Sequence, residues 1–430
     1  MLYSIFMGNA ETPTIQERSF LETLDVPETA IINFREYLQT NTSLKQDEVD
    51  SLVASLGEYM IALPSINVST QEEARQNPQR KYFEADTTHI RPEEKQRLNI
   101  KPGGLPVFEI TWDNPRFLVP FDALNRKMGE YYEKTTDTLT SGAFGTGFVG
   151  FDTHLLDRAF IKITNPDLYL EGLGKEDLEK DILVSAVNRD IVREARLLGN
   201  FHGLPETKVY IPTVYDVGAI PLKGMPTPLN YVAMEFIEGS TVEKINNLSR
   251  EEALDIGLTV AYVLDHMQKR FGARHLDMKP GNIIRAKDGR IVIIDWATTE
   301  GTYKTDSERH LDLQPNVWEQ ANLLVATEEY MAPERAYSSN TKSDQHSLAA
   351  SVFEMLQGDV PEWITTRGSA VKNLQYHKFR DQIMVKPNAM PDAVYEVFAK
   401  AMAYNPEDRY SSCTEFMDKL KDAYGAADKP

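Results

Sequence analysis

The chain predicts an α+β protein: a small strand-rich part, then a larger helical part, preceded by a mainly helical N-terminal extension. Three observations carry that expectation. Between about residues 131 and 164, short apolar runs flank a glycine-rich turn, S-G-A-F-G-T-G. From Arg250 onward, long stretches place apolar residues at helical spacing. The 430 residues also exceed what one core usually serves, so two or three units are expected.

Composition narrows the function classes. Hydrophobic residues at 41% with 26% charged are ordinary for a soluble globular chain. The 46 basic against 65 acidic residues give −19, which argues against nucleic acid or an anionic membrane as the main partner. A phosphate-handling site in so acidic a chain must draw its positive charge locally. The single cysteine, Cys413, excludes an intrachain disulfide and fits a reducing compartment. The N-terminus, M-L-Y-S-I-F-M-G-N-A, lacks a basic flank, and no window approaches a membrane-spanning apolar run. A cytoplasmic protein with no membrane span is expected.

Residues 1–130 carry no chemical motif. Leu44, Val49, Leu52, Val53, Leu56, Tyr59, Met60 and Leu63 predict a helix over 43–63, with Thr42 or Ser43 as its cap. The polar stretch 65–101 reads as linker or exposed loop. Short strands follow at 107–110 and 117–119, parted by the turn-like Asp113-Asn114-Pro115. A packing or regulatory extension is the expected role, and a truncation lacking residues 1–100 is expected to leave a folded core.

Residues 131–139 read as a strand, then comes the glycine-rich turn, then a strand over 158–164 that carries Lys162. Glycines so placed let backbone N–H groups approach phosphate oxygens, although plain hairpins use them too. Taken alone, Lys162 is an ordinary edge charge. Glu194 lies in a helical segment with Ile191, Ala195, Leu197 and Leu198, where it could simply pair with Arg193 or Arg196. An apolar strand, Tyr231–Ile237, exits into Glu238-Gly239-Ser240. A long amphipathic helix over 250–270 then delivers the chain to its central stretch.

That stretch reads R-H-L-D-M-K-P-G-N-I-I-R-A-K-D-G-R-I-V-I-I-D-W-A, from Arg274 to Ala297. It places Asp277, Lys279 and Asn282 in one short loop. Apolar doublets around Asp288-Gly289 predict a β-hairpin, whose closing ends would return Asp295 close to Asn282. Oxygen ligands suit Mg²⁺, an ammonium neutralises phosphate, and a remaining carboxylate receives a proton. A polar loop over 298–326, the string A-T-E-E-Y-M-A-P-E-R and a helical part to about residue 425 complete the chain.

Together these motifs resemble the eukaryotic-type (Hanks-type) serine/threonine protein kinases, over residues 131–425. The resemblance implies a bilobal fold, with an N-lobe over 131–237 and a C-lobe over 238–425 behind the 1–130 extension. It implies that Ser141, Gly142, Ala143, Phe144, Gly145 and Gly147 cover the phosphates of ATP. Lys162 would hold the α- and β-phosphates, with Glu194 as its helix partner. Met234 would be the gatekeeper, and Glu235 C=O and Ile237 N–H would read the adenine edge. Asp277 would be the catalytic base and Lys279 the γ-phosphate contact. Asn282 and Asp295 would hold Mg²⁺, with Mn²⁺ as a second candidate. Thr327 would bond near the base, Glu334 would be buried against Arg409, and Asp344 would brace the catalytic loop. The partners implied are ATP and an unidentified protein substrate.

Four departures stand out. Thr140 replaces the first loop glycine, Leu276 replaces the arginine beside the base, and D-W-A replaces D-F-G. Phe160 replaces a small residue against adenine, while Gly147 replaces a larger one, so the two changes are expected to conserve volume. Two other readings compete. A small-molecule kinase similar to the aminoglycoside and choline phosphotransferases would share Asp277, Asn282 and Asp295-Trp296, but Lys279, Thr327 and the Asp344 segment favour a protein substrate. A nucleotide-binding pseudokinase scaffold would explain Phe160, Thr140 and D-W-A, but every residue that touches metal, phosphate or the acceptor proton is retained.

Overall fold

The computed structural model describes residues 24–69, 71–77, 81–84, 107–121, 146–163, 180–301, 327, 329–336, 340–364, 370–371 and 383–428. The expected strand over 131–139 and residues 140–145 lie outside these. The chain divides into two compact units. The first takes Met1–Ser141, Gly145–Thr164 and Val217–Ala233; the second takes Gly142–Phe144, Asn165–Asp216 and Met234–Pro430.

The first unit is built on strands. In order come β1 (Ile31–Asn33), α1 (Phe34–Asn41), α2 (Gln46–Leu56), β2 (Tyr59–Ala62), β3 (Ser65–Ser69), α3 (Gln71–Gln76), β4 (Lys81–Glu84), β5 (Val107–Thr111), β6 (Phe117–Pro120), β7 (Thr146–Asp152) and β8 (Asp157–Ile163). Strands β9 (Val214–Ile220) and β10 (Leu229–Glu235) follow later in the chain. Asn33 starts α1 by accepting the Glu36 N–H through its side chain. Helix α2 ends at Gly57, whose φ of 91° suits glycine. The helix expected over 43–63 is therefore shorter than its spacing suggests. Its last turn is replaced by β2, where Met60, Ile61 and Ala62 are all buried between β1 and β6. A four-residue apolar run fits a central strand as readily as a helix.

The stretch expected as a loop also differs. It contributes β3, α3 and β4, and the two strands flank β5 in a three-stranded sheet ordered β3-β5-β4. The remaining strands make a seven-stranded sheet ordered β1-β2-β6-β7-β8-β10-β9. Strands from both sides of residue 130 thus share one sheet, with Leu118 paired to Phe151. They also share one core: Phe34, Leu38, Val49, Val53, Met60 and Leu118 pack with Phe151. The Phe34 and Phe151 rings meet edge to face at 5.3 Å. Tyr231 Oη donates to the Pro64 carbonyl at 2.9 Å, and buried Asp152 pairs with Arg116 at 3.0 Å. The extension supplies strands as well as helices.

The second unit is mainly helical. It contains α4 (Lys180–His202), β11 (Gly239–Thr241), α5 (Arg250–Phe271), β12 (Ile283–Ala286), β13 (Ile291–Ile293) and α6 (Ser343–Gln357). A small sheet of β14 (Trp363–Ile364), β15 (Ala370–Val371) and β16 (Ile383–Met384) precedes α7 (Asp392–Ala401) and α8 (Cys413–Ala427). Helix α5 starts in a capping box, Ser249 Oγ accepting the Glu252 N–H while Glu252 accepts the Ser249 N–H. It stops at Gly272, φ 65°. Gly257 lets α6 and α8 approach, since a Cβ there would meet Met417 Cε at 2.7 Å and Val352 Cγ2 at 2.9 Å. Asp265 of α5 accepts the Cys413 and Thr414 N–H groups at 2.9 and 2.8 Å, capping α8 from outside its own sequence. Phe398 meets Phe353 edge to face at 5.4 Å and Phe416 at a tilt at 5.9 Å. Among the described residues no helix is long and apolar enough to cross a membrane.

Candidate active site

The central stretch folds as the expected hairpin. Ile283 pairs with Ile293, Ile284 with Val292 and Arg285 with Ile291, around a turn in which Gly289 has φ 90°. The Ile294 N–H donates to the Asn282 carbonyl at 3.0 Å, which brings the chain entering Asp295 back to the loop that carries Asp277. Strand β11 adds to this hairpin, Gly239 against Ala286, so closely that a Cβ at Gly239 would stand 2.3 Å from the Arg285 carbonyl oxygen. The same hairpin holds Glu235: its carboxylate pairs with Arg290 at 2.8 Å and accepts from the Thr213 N–H and hydroxyl, both at 3.2 Å. Met234 and Ile237 beside it are buried.

Asp277 is the hub of the loop. Its Oδ1 accepts the Thr327 N–H and the Thr327 hydroxyl, each at 3.0 Å. Its Oδ2 accepts from Asn282 Nδ2 at 3.1 Å and lies 3.2 Å from Lys279 Nζ. Lys279 Nζ also donates to Thr327 Oγ1 at 2.6 Å. Asn282 Nδ2 makes a second bond, 2.7 Å to the Asp277 carbonyl. An ammonium, a hydroxyl and an amide thus fix one carboxylate in place.

The backbone beneath the hub is held from α6. Asp344 accepts the His275 N–H at 2.8 Å and the Leu276 N–H at 2.7 Å. Leu276 sits at φ 66°, a strained conformation for a branched side chain that those two bonds offset. His275 has no exposed surface; its Nδ1 accepts the Asp277 N–H at 3.3 Å, and its Nε2 faces the Ile294 carbonyl at 3.1 Å. Burial raises the Asp344 carboxyl above the usual carboxylate range, against the pull of His275 and the two N–H donors.

Asp295 has φ 58°, and the D-W-A segment after it is anchored by its tryptophan. Trp296 Nε1 donates to the Ile293 carbonyl at 3.0 Å, while its buried ring meets His275 at 4.7 Å and Phe201 of α4 at 4.9 Å. Arg193, also on α4, donates to the Ala297 carbonyl at 3.2 Å and to the Thr299 carbonyl. Thr298 Oγ1 donates to the His275 carbonyl at 2.7 Å. Further on, Glu334 takes a two-pronged pair from Arg409, 2.8 and 2.7 Å, and a 2.7 Å bond from Ser343. Burial pushes the Glu334 carboxyl up, but Arg409 outweighs it and leaves it below its ordinary range.

In the first unit, Lys162 is buried on β8, directly across from Gly147 of β7. Phe160 lies two residues earlier on the same strand face. Its ring fills the space above Gly147: a Cβ there would stand 2.3 Å from Phe160 Cζ. The exchange of large for small and small for large is thus realised as one ring covering one glycine. Glu194 is buried on α4 of the second unit. Ser141, Gly142, Ala143, Phe144 and Gly145 lie outside the described residues.

For a metal, the oxygen donors on hand are Asn282 and Asp295, at the two ends of the hairpin. The Asn282 amide nitrogen is committed to Asp277, and no described hydrogen bond engages its Oδ1, which leaves that oxygen for a cation. Among the described residues no cluster of three or more His, Cys, Asp or Glu could hold a metal. The Asn282 and Asp295 oxygens are the donor type that suits a hard divalent cation sharing its shell with waters and phosphates. Sequence reasoning missed Arg193 and the Arg274, Glu300 and Arg335 group, because these pairs join distant segments without any local period.

A family model described as the protein kinase domain matches residues 183–421, more than half of the chain. The chain is 27% identical over 288 residues to a probable serine/threonine-protein kinase PknB of Bifidobacterium longum, covering 64% of this chain and 37% of that protein. It is 24% identical over 297 residues to serine/threonine-protein kinase PksC of Streptomyces coelicolor, covering 66% of this chain and 47% of that one. These matches therefore span less than half the length of the curated relatives. A crystal structure of the Mycobacterium tuberculosis PknI kinase domain aligns at 21% identity and TM-score 0.42, covering 67% of this chain and 94% of that domain.

Proposed function

Because the chain belongs to the protein kinase family, we propose that it transfers the γ-phosphoryl group of ATP to Ser or Thr hydroxyls of protein substrates. The observation that carries this reading is the Asp277–Lys279–Thr327 triangle, closed by bonds of 2.6 to 3.2 Å. Lys279 and Thr327 are the residues that separate a protein acceptor from a small-molecule one.

In this mechanism Asp277 orients the acceptor hydroxyl and takes its proton. Thr327 and Asn282 hold that carboxylate in one rotamer, so positioning contributes more than basicity. Lys279 would carry the charge of the transferring group, and Lys162 would steady the α- and β-phosphates. Asn282 and Asp295 would hold Mg²⁺, or Mn²⁺, which supplies charge balance to the phosphates when bound. Glu235 and Ile237 would offer main-chain groups to the adenine edge, with Met234 behind them and Glu194 as the Lys162 partner. Residues 141–145 and Gly147 would cover the phosphates. Residues 1–130 would act as an extension of the kinase domain over 131–425. Cys413 is a buried free thiol, which fits a reducing, cytoplasmic setting. The net charge of −19 supports a protein acceptor over a nucleic-acid partner.

The test is incubation of the full chain with labelled Mg²⁺-ATP and a generic Ser/Thr-rich protein, beside Asp277→Ala. Label that depends on Asp277 supports the reading. Equal label in both proteins removes it, and transfer only to an amino alcohol or sugar moves the activity to small molecules.

A further inference from the structure

Outside the Asp277 hub and the Glu334–Arg409 pair, a largely enclosed ionic group in the second unit joins Arg274, Glu300 and Arg335. Glu300 Oε1 pairs with Arg335 Nη1 at 2.6 Å, and Oε2 lies 3.5 Å from Arg274 Nη2. The three side chains are only 10–16% exposed. Main-chain bonds reinforce one side, the Arg274 N–H reaching the Glu300 carbonyl at 2.8 Å and the Glu300 N–H reaching the Arg274 carbonyl at 3.0 Å.

Each member belongs to a different part of the site. Arg274 directly precedes His275, whose N–H is held by Asp344. Glu300 ends the segment that starts at Asp295 and runs through Thr298, itself bonded to the His275 carbonyl. Arg335 follows Glu334 in the 329–336 segment, which is tied to Thr327 through the Tyr330 N–H at 3.1 Å. The Glu300 carboxylate is thus shared by guanidiniums from the start of the catalytic loop and from the segment leading back to Thr327.

We propose that Glu300 is a positioning residue for the transfer reaction: by neutralising Arg274 and Arg335 together, it sets the register in which Thr327 meets Asp277 and Lys279. The proposal rests on the protein kinase reading and adds how its site is held ready. Without the carboxylate, two poorly solvated guanidiniums would face each other, and the cheapest relief is to move the 329–336 segment away. Thr327 would move with it, releasing two of the bonds that orient Asp277. The charge that closes the clamp is an encoded side chain, so the arrangement needs no covalent modification. The bland alternative is an ordinary ion pair that adds stability and nothing else.

Glu300→Gln keeps the shape and removes the charge; Glu300→Asp keeps the charge. For the full chain, we expect Glu300→Gln to lower kcat on the order of ten- to hundredfold while KM for ATP stays within about twofold. Glu300→Asp should recover most of kcat, and phosphatase-treated wild type should keep its turnover. Amide exchange should quicken at 275–277 and 329–336 in Glu300→Gln, with 283–293 unchanged. Should either Glu300 variant fail to fold, Arg335→Gln makes the same comparison from the other side of the pair. Equal kcat in wild type and Glu300→Gln overturns the proposal and leaves the kinase reading standing. Loss of turnover on phosphatase treatment overturns the claim that no modification is needed. A wild type that transfers nothing sinks the kinase reading instead; the exchange data then decide the clamp alone, and unchanged exchange overturns it.

Discussion

The ring of Phe160 lies over Gly147, and a Cβ at position 147 would stand 2.3 Å from Phe160 Cζ and 2.9 Å from Cε2. The two residues are alternatives for one space. Gly147→Val should therefore force the ring aside and cost about 1–3 kcal/mol of stability. On the proposed kinase reading, Phe160→Ala should change ATP affinity, because it strips the aromatic ring from the strand face that carries Lys162. The double variant should be better folded than Gly147→Val alone. A double-mutant cycle from denaturant melts and nucleotide titrations measures the coupling, and additive effects would show that the ring has another seat.

The shared core of the first unit reverses an expectation drawn from the chain alone. Phe34 is fully buried against Phe151, so Phe34→Ala should destabilise that unit by about 3–5 kcal/mol. Deleting residues 1–100 removes β1 to β4 and exposes Phe151, Leu118 and the β6 edge. The truncated protein should aggregate. A soluble truncation with wild-type strand content by circular dichroism would count against a common core.

Asp344 should be less replaceable than its distance from the reacting groups suggests. Asp344→Ala leaves the His275 and Leu276 N–H groups buried without an acceptor, at about 1–3 kcal/mol each. Asp344→Asn keeps one acceptor and should fall between. Chemical denaturation ranks the three proteins, and kcat should follow the same order, because Leu276 at φ 66° relaxes once released.

Acid should act first through His346. This fully buried ring is pushed down to about 3 by burial and by nearby Arg409, whereas the unfolded chain protonates it near 6.5. Between those values the unfolded state binds the extra proton, so stability drops as pH falls, approaching about 1.4 kcal/mol per unit. His346→Asn should flatten that limb of a stability–pH curve. Glu334, lowered by Arg409 beneath its ordinary 4.5, stabilises above that value and loses its contribution only as pH falls through its lower folded pKa. Glu334→Gln should therefore leave the slope between pH 5 and 6.5 unchanged, to within about 0.3 kcal/mol per unit.

How much of this is legible in the chain depends on how local the cause is. The hairpin from Ile283 to Ile293 is readable because Asp288-Gly289 dictates a turn and the flanking apolar residues dictate a register. Helix α5 is readable from its period and its Ser249–Glu252 cap. Strand β2 is not, since a short apolar run following a helix looks like more helix until β1 and β6 are seen on either side. Nor is the bond from Arg193 to the Ala297 carbonyl, which spans 104 positions. Glu300 and Arg335, 35 positions apart, look like two ordinary surface charges among many. Motifs reveal the groups that face a substrate more readily than those that hold them in place.

The partnership of Phe34 with Phe151 also governs how the polypeptide must be made. The leading 120 residues leave the ribosome with Phe34, Leu38 and Met60 lacking their last partner, which is synthesised some hundred residues later. Nascent chains paused before Phe151 should therefore be stickier, and recruit chaperones more strongly, than those paused beyond β10.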